Sequence, residues 1–189
     1  MFVEVPPRFR VATAPFDGPP DARTIVLAPS GAFGDGRHES TRMCLQALAV
    51  FSPPAPFRML DVGSGTGILS IAAAKLGGRA IGVEIDPDAN IIASENARLS
   101  GVAEHVAFGT EWPEGTFDVV VANILRPILI DLAPEITRRL ARPGLLVVSG
   151  LVSTDVPELI ACYGAPLGGA RPEVFERDPW RALVWRISS

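Results

Sequence analysis

The chain has 189 residues, 48% of them apolar, which fits one soluble globular domain with a buried core. Its 21 acidic and 17 basic side chains give a formal charge of −4 and form no long runs, which argues against nucleic acid as a partner. The distant cysteines Cys44 and Cys162 suggest neither a disulfide framework nor a metal site, and no apolar run reaches the roughly 18 residues of a membrane span, so we expect a cytoplasmic protein without metal or membrane contacts.

Residues 1–29 are rich in proline and contain three short apolar runs, Phe2–Val5, Phe9–Val11 and Ile25–Leu27. Proline limits such runs to edge strands or extended segments, so we expect an N-terminal extended arm and not a domain of its own. A helix is predicted over Glu39–Phe51, because apolar side chains recur there at helical spacing and proline closes the run.

From residue 57 onward, strand-like and helix-like segments alternate. Strand patterns occur at 57–62, 79–85, 105–108, 117–124 and 145–151, and helix patterns at 67–77, 86–100, 127–141 and from about Thr154. The last two apolar runs, 172–178 and 181–187, are predicted to pair as antiparallel strands. This alternation is typical of an α/β fold, a Rossmann-like sheet of about seven mostly parallel strands with an antiparallel last strand and helices on both faces.

The first strand of this sheet is followed by DVGSGTG, Asp61–Gly67, where ligands bind in such sheets, so Asp61, Gly63, Gly65 and Gly67 are candidate ligand contacts. A Walker loop is excluded because no Gly-Lys-Ser/Thr follows, and a dinucleotide fingerprint needs a small residue where Ile68 stands. The spacing of Gly63, Gly65 and Gly67 instead resembles motif I of class I S-adenosylmethionine-dependent methyltransferases. In such a loop, glycine lets the backbone touch the ligand, and the following helix start offers free N–H groups.

An acidic residue after the second strand supports this interpretation. Glu84 follows the first glycine of the loop by 21 residues, close to the roughly 20-residue spacing at which a carboxylate accepts both ribose hydroxyls of a bound nucleoside. Ile85 beside it is a further candidate cofactor contact, whereas Asp86 is better explained as a helix cap. After the third strand, Thr110 and Glu111 are candidates for contacts to the adenine ring, although a polar loop is equally expected there in any fold of this type.

A polar residue also ends the fourth strand, where Asn123 lies beside the glycine loop. Five blocks, SGAFGDGRHESTRMCLQAL, LDVGSGTGILSIAAAKLG, GVEIDPDA, FDVVVANIL and LLVVSGL, together resemble the ribosomal protein L11 methyltransferase (PrmA-type) family in their order and near the expected spacing. The resemblance covers roughly residues 25–189. It implies that residues 30–189 form a class I S-adenosylmethionine-dependent methyltransferase domain.

The resemblance also implies an activity and a set of contacts. The family methylates amines on lysine side chains and at the amino terminus of a ribosomal protein, with S-adenosyl-L-methionine as the methyl donor. Carried over residue by residue, its cofactor contacts fall on Thr41, Gly63, Glu84 and Asn123. The stretch SGAFGDGRHEST, residues 30–41, is then expected to close over the methionine end of the cofactor, with Phe33 approaching the ligand.

Two residues are candidates for catalysis. Asn123 is expected either to accept an N–H bond from the acceptor amine, which aims the lone pair at the methyl group, or only to hold the cofactor. His38 matches a family histidine, with anchoring of the loop as the alternative to a catalytic role. Methyl transfer is an in-line displacement from an activated donor, so we expect positioning to supply most of the acceleration.

The chain departs from the family pattern in two respects. Asp35 and Ser40 stand where threonines are usual, and the charge of Asp35 is expected either to repel the cofactor carboxylate or to attract a cationic amine. The family also carries an N-terminal substrate-capture domain, which we expect this chain to lack, because about thirty residues precede the signature. The acceptor is therefore expected to be a protein amine, not necessarily the ribosomal one. A small-molecule acceptor, or a cofactor-binding protein without catalysis, are the alternatives.

Overall fold

The computed structural model describes residues 2–30 and 34–188. Within them it contains ten strands: β1 (Phe2–Val5), β2 (Phe9–Thr13), β3 (Thr24–Leu27), β4 (Arg58–Val62), β5 (Arg79–Val83), β6 (Val106–Gly109), β7 (Phe117–Asn123), β8 (Leu140–Val152), β9 (Glu173–Arg177) and β10 (Trp180–Ile187). The α-helices are α1 (Glu39–Phe51), α2 (Ile68–Lys75), α3 (Pro87–Leu99), α4 (Arg126–Asp131), α5 (Ala133–Arg138) and α6 (Val156–Gly164). No helix of this described part is long and apolar enough to cross a membrane.

Seven strands form the main sheet in the order β6-β5-β4-β7-β8-β10-β9. β10 pairs antiparallel with both β8 and β9, whereas the pairs from β6 to β8 are all parallel. The last strand therefore runs against the other six. This topology confirms the predicted fold class, and the strand order reverses between β4 and β7, which opens a crevice beyond their carboxyl ends.

Apolar side chains alternate along the strands and build a core on each face of the main sheet. Met59 and Val119 belong to the core under α1, α2 and α3. Leu60 and Val120, the next residues along the same strands, belong to the core under α4, α5 and α6. The helices predicted on both faces are therefore present.

β1, β2 and β3 form a separate sheet, in which β1 and β2 are antiparallel and β2 and β3 are parallel. Phe9, Val11 and Ile25 are buried in the same core as α1 and α2. The short runs predicted as edge strands are thus strands of a small sheet that packs on the helices. The division of the chain into an arm, 1–29, and a domain, 30–189, stays a prediction.

The single helix predicted over 127–141 is wrong. Two short helices, α4 and α5, replace it, and residues from Leu140 onward already belong to β8. Pro134 lies in the first turn of α5, and proline cannot donate the N–H that a continuous helix would need. The strand predicted at 145–151 begins earlier, at Leu140, because Leu140 already pairs with Phe117 of β7.

The helix starts that flank the crevice follow from their caps. Asp86 is the N-cap of α3, where its side chain accepts a bond from the Asp88 N–H at 2.9 Å and Pro87 follows, which confirms the predicted cap. Gly67 precedes α2 with φ of 75°, a left-handed conformation that favours glycine. Both helices therefore begin at the carboxyl edge of the sheet, beside the crevice.

Candidate active site

A cavity of about 310 Å³ opens at the carboxyl ends of β4, β5 and β7. The start of α1, the glycine loop between β4 and α2, the end of β8 and the start of β10 also contribute to its wall. Ligands bind at this edge in open α/β sheets, because the strand order reverses there. The cavity is therefore the candidate active site.

The glycine loop forms one side of this cavity. Gly63 and Gly65 line it and have φ of 72° and 50°, which a residue with a Cβ rarely adopts. A Cβ on Gly63 would also overlap Ile124 Cγ2. Gly67 is not among the lining residues; a Cβ there would lie 2.7 Å from Phe108 Cζ, so this glycine serves the packing beneath the loop.

Glu84 faces the glycine loop from the end of β5. Its Oε2 accepts a hydrogen bond from the Gly65 N–H at 3.1 Å, and its Oε1 accepts one from the Asp86 N–H at 3.2 Å. A carboxylate oxygen can accept more than one bond, so the half-buried carboxylate retains acceptor capacity toward the cavity. The next residue, Ile85, is 87% exposed at the rim, an unusual position for a large apolar side chain.

Asp61 lies under the glycine loop and is not among the lining residues. Its side chain is 1% exposed and accepts bonds from the Ser70 N–H at 3.1 Å and the Ser70 hydroxyl at 2.8 Å. Burial raises the pKa of Asp61 to about 7, and the charge of Glu84 contributes in the same direction. Asp61 therefore ties the end of β4 to α2, and its predicted contact with the cofactor stays a prediction.

Asn123 ends β7 at the floor of the cavity. Its Nδ2 donates to Thr41 Oγ1 at 3.3 Å, and Thr41 is itself only 1% exposed. The Asn123 Oδ1 is buried and has no hydrogen-bond partner among the described residues. A buried acceptor without a donor is costly, so this atom is placed to receive a donor from a ligand.

Gly150 preserves the space around this unpartnered oxygen. It has φ of 87°, and a Cβ there would lie 2.6 Å from the Ile124 carbonyl oxygen and 3.4 Å from Asn123 Oδ1. Any larger residue would push β8 away from the end of β7. The sequence gives no local signal for this role, because the two strands meet only in the folded sheet.

His38 closes the cavity at the start of α1. It is the N-cap of that helix, with its Nδ1 2.7 Å from Ser40 Oγ and accepting from the Ser40 N–H at 3.3 Å. Its ring also packs edge-on against Trp180, with 4.5 Å between the ring centroids. Anchoring of the loop is therefore visible in the structure, and catalysis by His38 stays a prediction.

The loop that precedes His38 is fixed from below by buried polar contacts. The Thr66 hydroxyl donates to the Gly34 carbonyl at 2.7 Å. Asn96 of α3 donates to the Thr66 carbonyl at 2.9 Å and accepts from the Ala28 N–H at 2.7 Å. Gly34 is thus bonded directly to Thr66 of the glycine loop, and Ala28 is linked to the same residue through Asn96.

The remaining predicted residues lie apart from these contacts. Phe33 lies outside the described residues. Asp35 accepts from the Arg37 N–H at 2.9 Å and lines a different cavity beside the N-terminal sheet. Thr110 and Glu111 are exposed after β6 and are not among the residues that line the active-site cavity. Their contacts with a cofactor stay predictions.

Sequence reasoning missed the apolar side of the cavity. Ile124, Leu125 and Ile128 follow Asn123, and Trp180 begins β10. Leu125 and Ile128 are 69% and 44% exposed, so the mouth presents apolar surface to solvent. The cavity thus combines a carboxylate and close backbone at one end with an unpartnered acceptor and apolar walls at the other. Such a site suits a nucleoside-bearing ligand beside a second, partly apolar one.

Comparison with known proteins identifies the family and the fold. The sequence model of the family "Ribosomal protein L11 methyltransferase (PrmA)" matches residues 7–187. Proteins named ribosomal protein L11 methyltransferase from Syntrophotalea carbinolica and Geobacter metallireducens are 42% and 44% identical to the chain over 176 and 174 residues. The alignments cover 90% and 91% of this chain but 57% of each relative, so the chain spans little more than half of their length.

Solved structures agree on the fold. The ribosomal protein L11 methylase from Lactobacillus delbrueckii subsp. bulgaricus superposes with a TM-score of 0.84 at 27% identity, covering 100% of this chain and 99% of that one. The 16S rRNA N2 G1207 methyltransferase from T. thermophilus, solved with AdoMet and guanosine, shares the fold at 18% identity and a TM-score of 0.70, over 83% of this chain and 45% of that one. The resemblance of the five sequence blocks is therefore confirmed. The chain belongs to the ribosomal protein L11 methyltransferase (PrmA) family.

Proposed function

We propose that this chain transfers a methyl group from S-adenosyl-L-methionine to an amine of a protein substrate. The observation that carries the proposal is the buried, unpartnered Asn123 Oδ1, which Thr41 holds in place at the floor of the cavity. It lies between the glycine loop, which suits a nucleoside, and an apolar mouth, which suits an alkyl chain. We also infer that residues 30–189 form the catalytic domain, on which the preceding arm packs.

The cavity fits S-adenosylmethionine at its glycine-loop end. Gly63 and Gly65 let a ligand approach the backbone closely, and the carboxylate of Glu84 is placed to accept the ribose hydroxyls. Ile85 offers exposed apolar surface for the adenine ring. Among the described residues that line the cavity there is no lysine or arginine, which suits a nucleoside that carries no phosphate. When bound, this cofactor supplies a methyl group already activated on a sulfonium.

The other end of the cavity suits the acceptor amine. Asn123 Oδ1 accepts an N–H bond from the amine, which directs the nitrogen lone pair toward the methyl group. The apolar walls formed by Leu125, Ile128 and Trp180 favour a methylene chain and exclude water. A lysine ammonium ordinarily has a pKa of ~10.4. Burial in such a site lowers that pKa, because it disfavours the charged form, so the proton is lost more easily.

The acceptor class follows from this chemistry and from the names of the relatives. A lysine side chain combines a methylene chain with a terminal amine, and an amino terminus offers the same nucleophile. The relatives are named for ribosomal protein L11, so that protein is the first substrate to examine. Positioning by Asn123 and Thr41 supplies the rate enhancement, and no covalent nucleophile is needed.

Incubation with methyl-labelled S-adenosylmethionine tests the proposal. We expect label in purified ribosomal protein L11, or in another protein of a bacterial lysate, at lysine or amino-terminal positions identified by mass spectrometry. The Glu84→Ala variant serves as the cofactor-site control and should transfer far less label at limiting cofactor. Label found only in small molecules would mean that the acceptor is a small molecule and not a protein amine. Cofactor binding without any transfer would indicate a binding protein and overturn the proposal.

A further inference from the structure

One corner of the main sheet is not covered by a helix. The connection from β6 to β7, residues 110–116, contains no helix, so the face of β5 and β6 that is opposite α2 and α3 is open. Ala107 is exposed on this face and Ile81 is half-buried. A cavity of about 350 Å³ lies here at the amino ends of the strands, the opposite end of the sheet from the candidate active site.

Two arginines stand side by side in this second cavity. Arg58 and Arg79 begin β4 and β5, line the cavity and are direct partners in the parallel register. Partners in register project to the same face of a sheet, and like charges in that arrangement repel. His105 lies at the start of the next strand and lines the cavity as well. The cavity thus concentrates positive charge in a chain whose formal net charge is −4.

Within the described residues, neither guanidinium forms a salt bridge; the Asp118 carboxylate accepts only from the Arg58 backbone N–H, at 2.8 Å. The Arg58 guanidinium donates to the Thr116 carbonyl at 3.2 Å and lies over the Phe117 ring at 4.7 Å. The Arg79 side chain has no hydrogen bond or ion pair within residues 2–30 and 34–188. In the same part of the chain, nine other arginines form salt bridges, whereas Arg58 and Arg79 form none. Glu104 is the one acidic residue among those that line the cavity.

We propose that this second cavity binds a small phosphate-bearing molecule. Each guanidinium presents a planar fork of N–H donors that matches phosphate oxygens, and a bound anion removes the repulsion between Arg58 and Arg79. The volume falls in the range of small-ligand sites, and Ile81 and Ala107 provide apolar surface for the rest of the molecule. Arg58 and Arg79 line this cavity beside Glu104, and the chain as a whole is acidic, which favours a small ligand over a nucleic acid backbone.

Calorimetric titration of the chain with sodium pyrophosphate at constant ionic strength tests this site. We expect saturable binding with one site per chain, weakened about tenfold or more in Arg79→Gln, because a bond to a charged group is lost. The exposed Arg79 side chain makes no hydrogen bond or ion pair within the described residues, and Arg79→Gln keeps the backbone N–H bond to the Phe57 carbonyl, so the replacement should leave the fold intact. Arg98→Gln is the matched control: it removes an exposed arginine that pairs with Glu95, and it should bind pyrophosphate like the parent chain.

The titration is repeated with saturating S-adenosylhomocysteine. Because the second cavity lies at the other end of the sheet, we expect the pyrophosphate affinity to be unchanged. A loss of pyrophosphate binding would show that pyrophosphate binds in the active-site cavity and would overturn the proposal. Absence of saturable binding, or equal weakening in Arg79→Gln and Arg98→Gln, would overturn the proposal. A short RNA that binds more tightly than pyrophosphate and depends on Arg79 would also overturn it in favour of a nucleic acid surface. None of these outcomes depends on methyl transfer.

Discussion

Glu84→Ala is expected to weaken cofactor binding strongly while leaving the fold intact. In the structure, the carboxylate already accepts the Gly65 N–H at 3.1 Å and the Asp86 N–H at 3.2 Å. The variant therefore removes two contributions: the acceptors proposed for the ribose, and the anchor that holds the glycine loop against the end of β5. Loss of the acceptors lowers affinity because the ribose hydroxyls lose their partners. Loss of the anchor lowers it because the ligand must then order the loop itself.

The magnitude follows from the type of bond that is lost. One hydrogen bond to a charged group contributes about 1.5 to 3 kcal/mol, which corresponds to roughly a 10- to 150-fold increase in Kd. The two backbone N–H groups released from Glu84 lie near the surface and can turn to water, so the cost to the free protein is smaller, about 1 kcal/mol. The variant should therefore remain folded at room temperature.

Calorimetry with S-adenosylhomocysteine measures the effect directly. Glu95→Ala is the matched control, since Glu95 is a half-exposed carboxylate on α3 that pairs only with Arg98. We expect the control to bind like the parent chain and Glu84→Ala to bind at least tenfold more weakly. If the Kd of Glu84→Ala stays within a factor of two of the parent value, the ribose assignment is wrong.

Three further variants test the structure around the site. Gly150→Ala should lose about 1 to 3 kcal/mol of stability in urea unfolding, because its Cβ would crowd the Ile124 carbonyl at a φ of 87°, and an unchanged unfolding midpoint would argue against this contact. Asn96→Ala should lower the free energy of unfolding by about 1 to 3 kcal/mol, because two buried backbone partners lose their bonds; Tm from calorimetry checks it. Folding raises the pKa of Asp61 from its ordinary value of 3.8 to about 7. As pH rises from about 4 to 7, Asp61 therefore loses its proton in the unfolded chain before it does so in the folded chain, and the free energy of unfolding falls. Asp61→Asn, which keeps an acceptor for Ser70, should therefore gain stability relative to the parent chain through that window and level off above it. A gain independent of pH would contradict the assignment.

Much of the fold could be predicted because local and long-range signals agree. Asp86 followed by proline predicts the start of α3, and the apolar runs on either side of Pro179 predict the antiparallel pair at one edge of the sheet. The helix predicted over 127–141 failed because its apolar pattern continues into β8, where pairing with β7 determines the conformation. Local periodicity cannot distinguish these alternatives when a strand follows a helix without a break.

Less of the site than of the fold could be predicted from the sequence. The structure shows Thr41 holding Asn123 from a buried position, a role that the sequence did not predict, and its contact with the cofactor stays a prediction. Trp180 reaches the cavity only because β10 inserts beside β8, and no sequence pattern indicates that neighbour. Asn96 had a usable signal, since it falls on the helix face that also carries Ala93 and Ala97, where a polar side chain requires buried partners.

The central claim is that Asn123 aligns the acceptor amine for methyl transfer, and a single-turnover rate measures this most directly. The parent chain and Asn123→Ala are compared on the same protein acceptor at saturating labelled S-adenosylmethionine, with the cofactor Kd measured in parallel. We expect the rate to fall by about 100-fold or more, as when an orienting group is removed, while the Kd changes little. Equal rates for the two proteins at saturating cofactor would contradict the account.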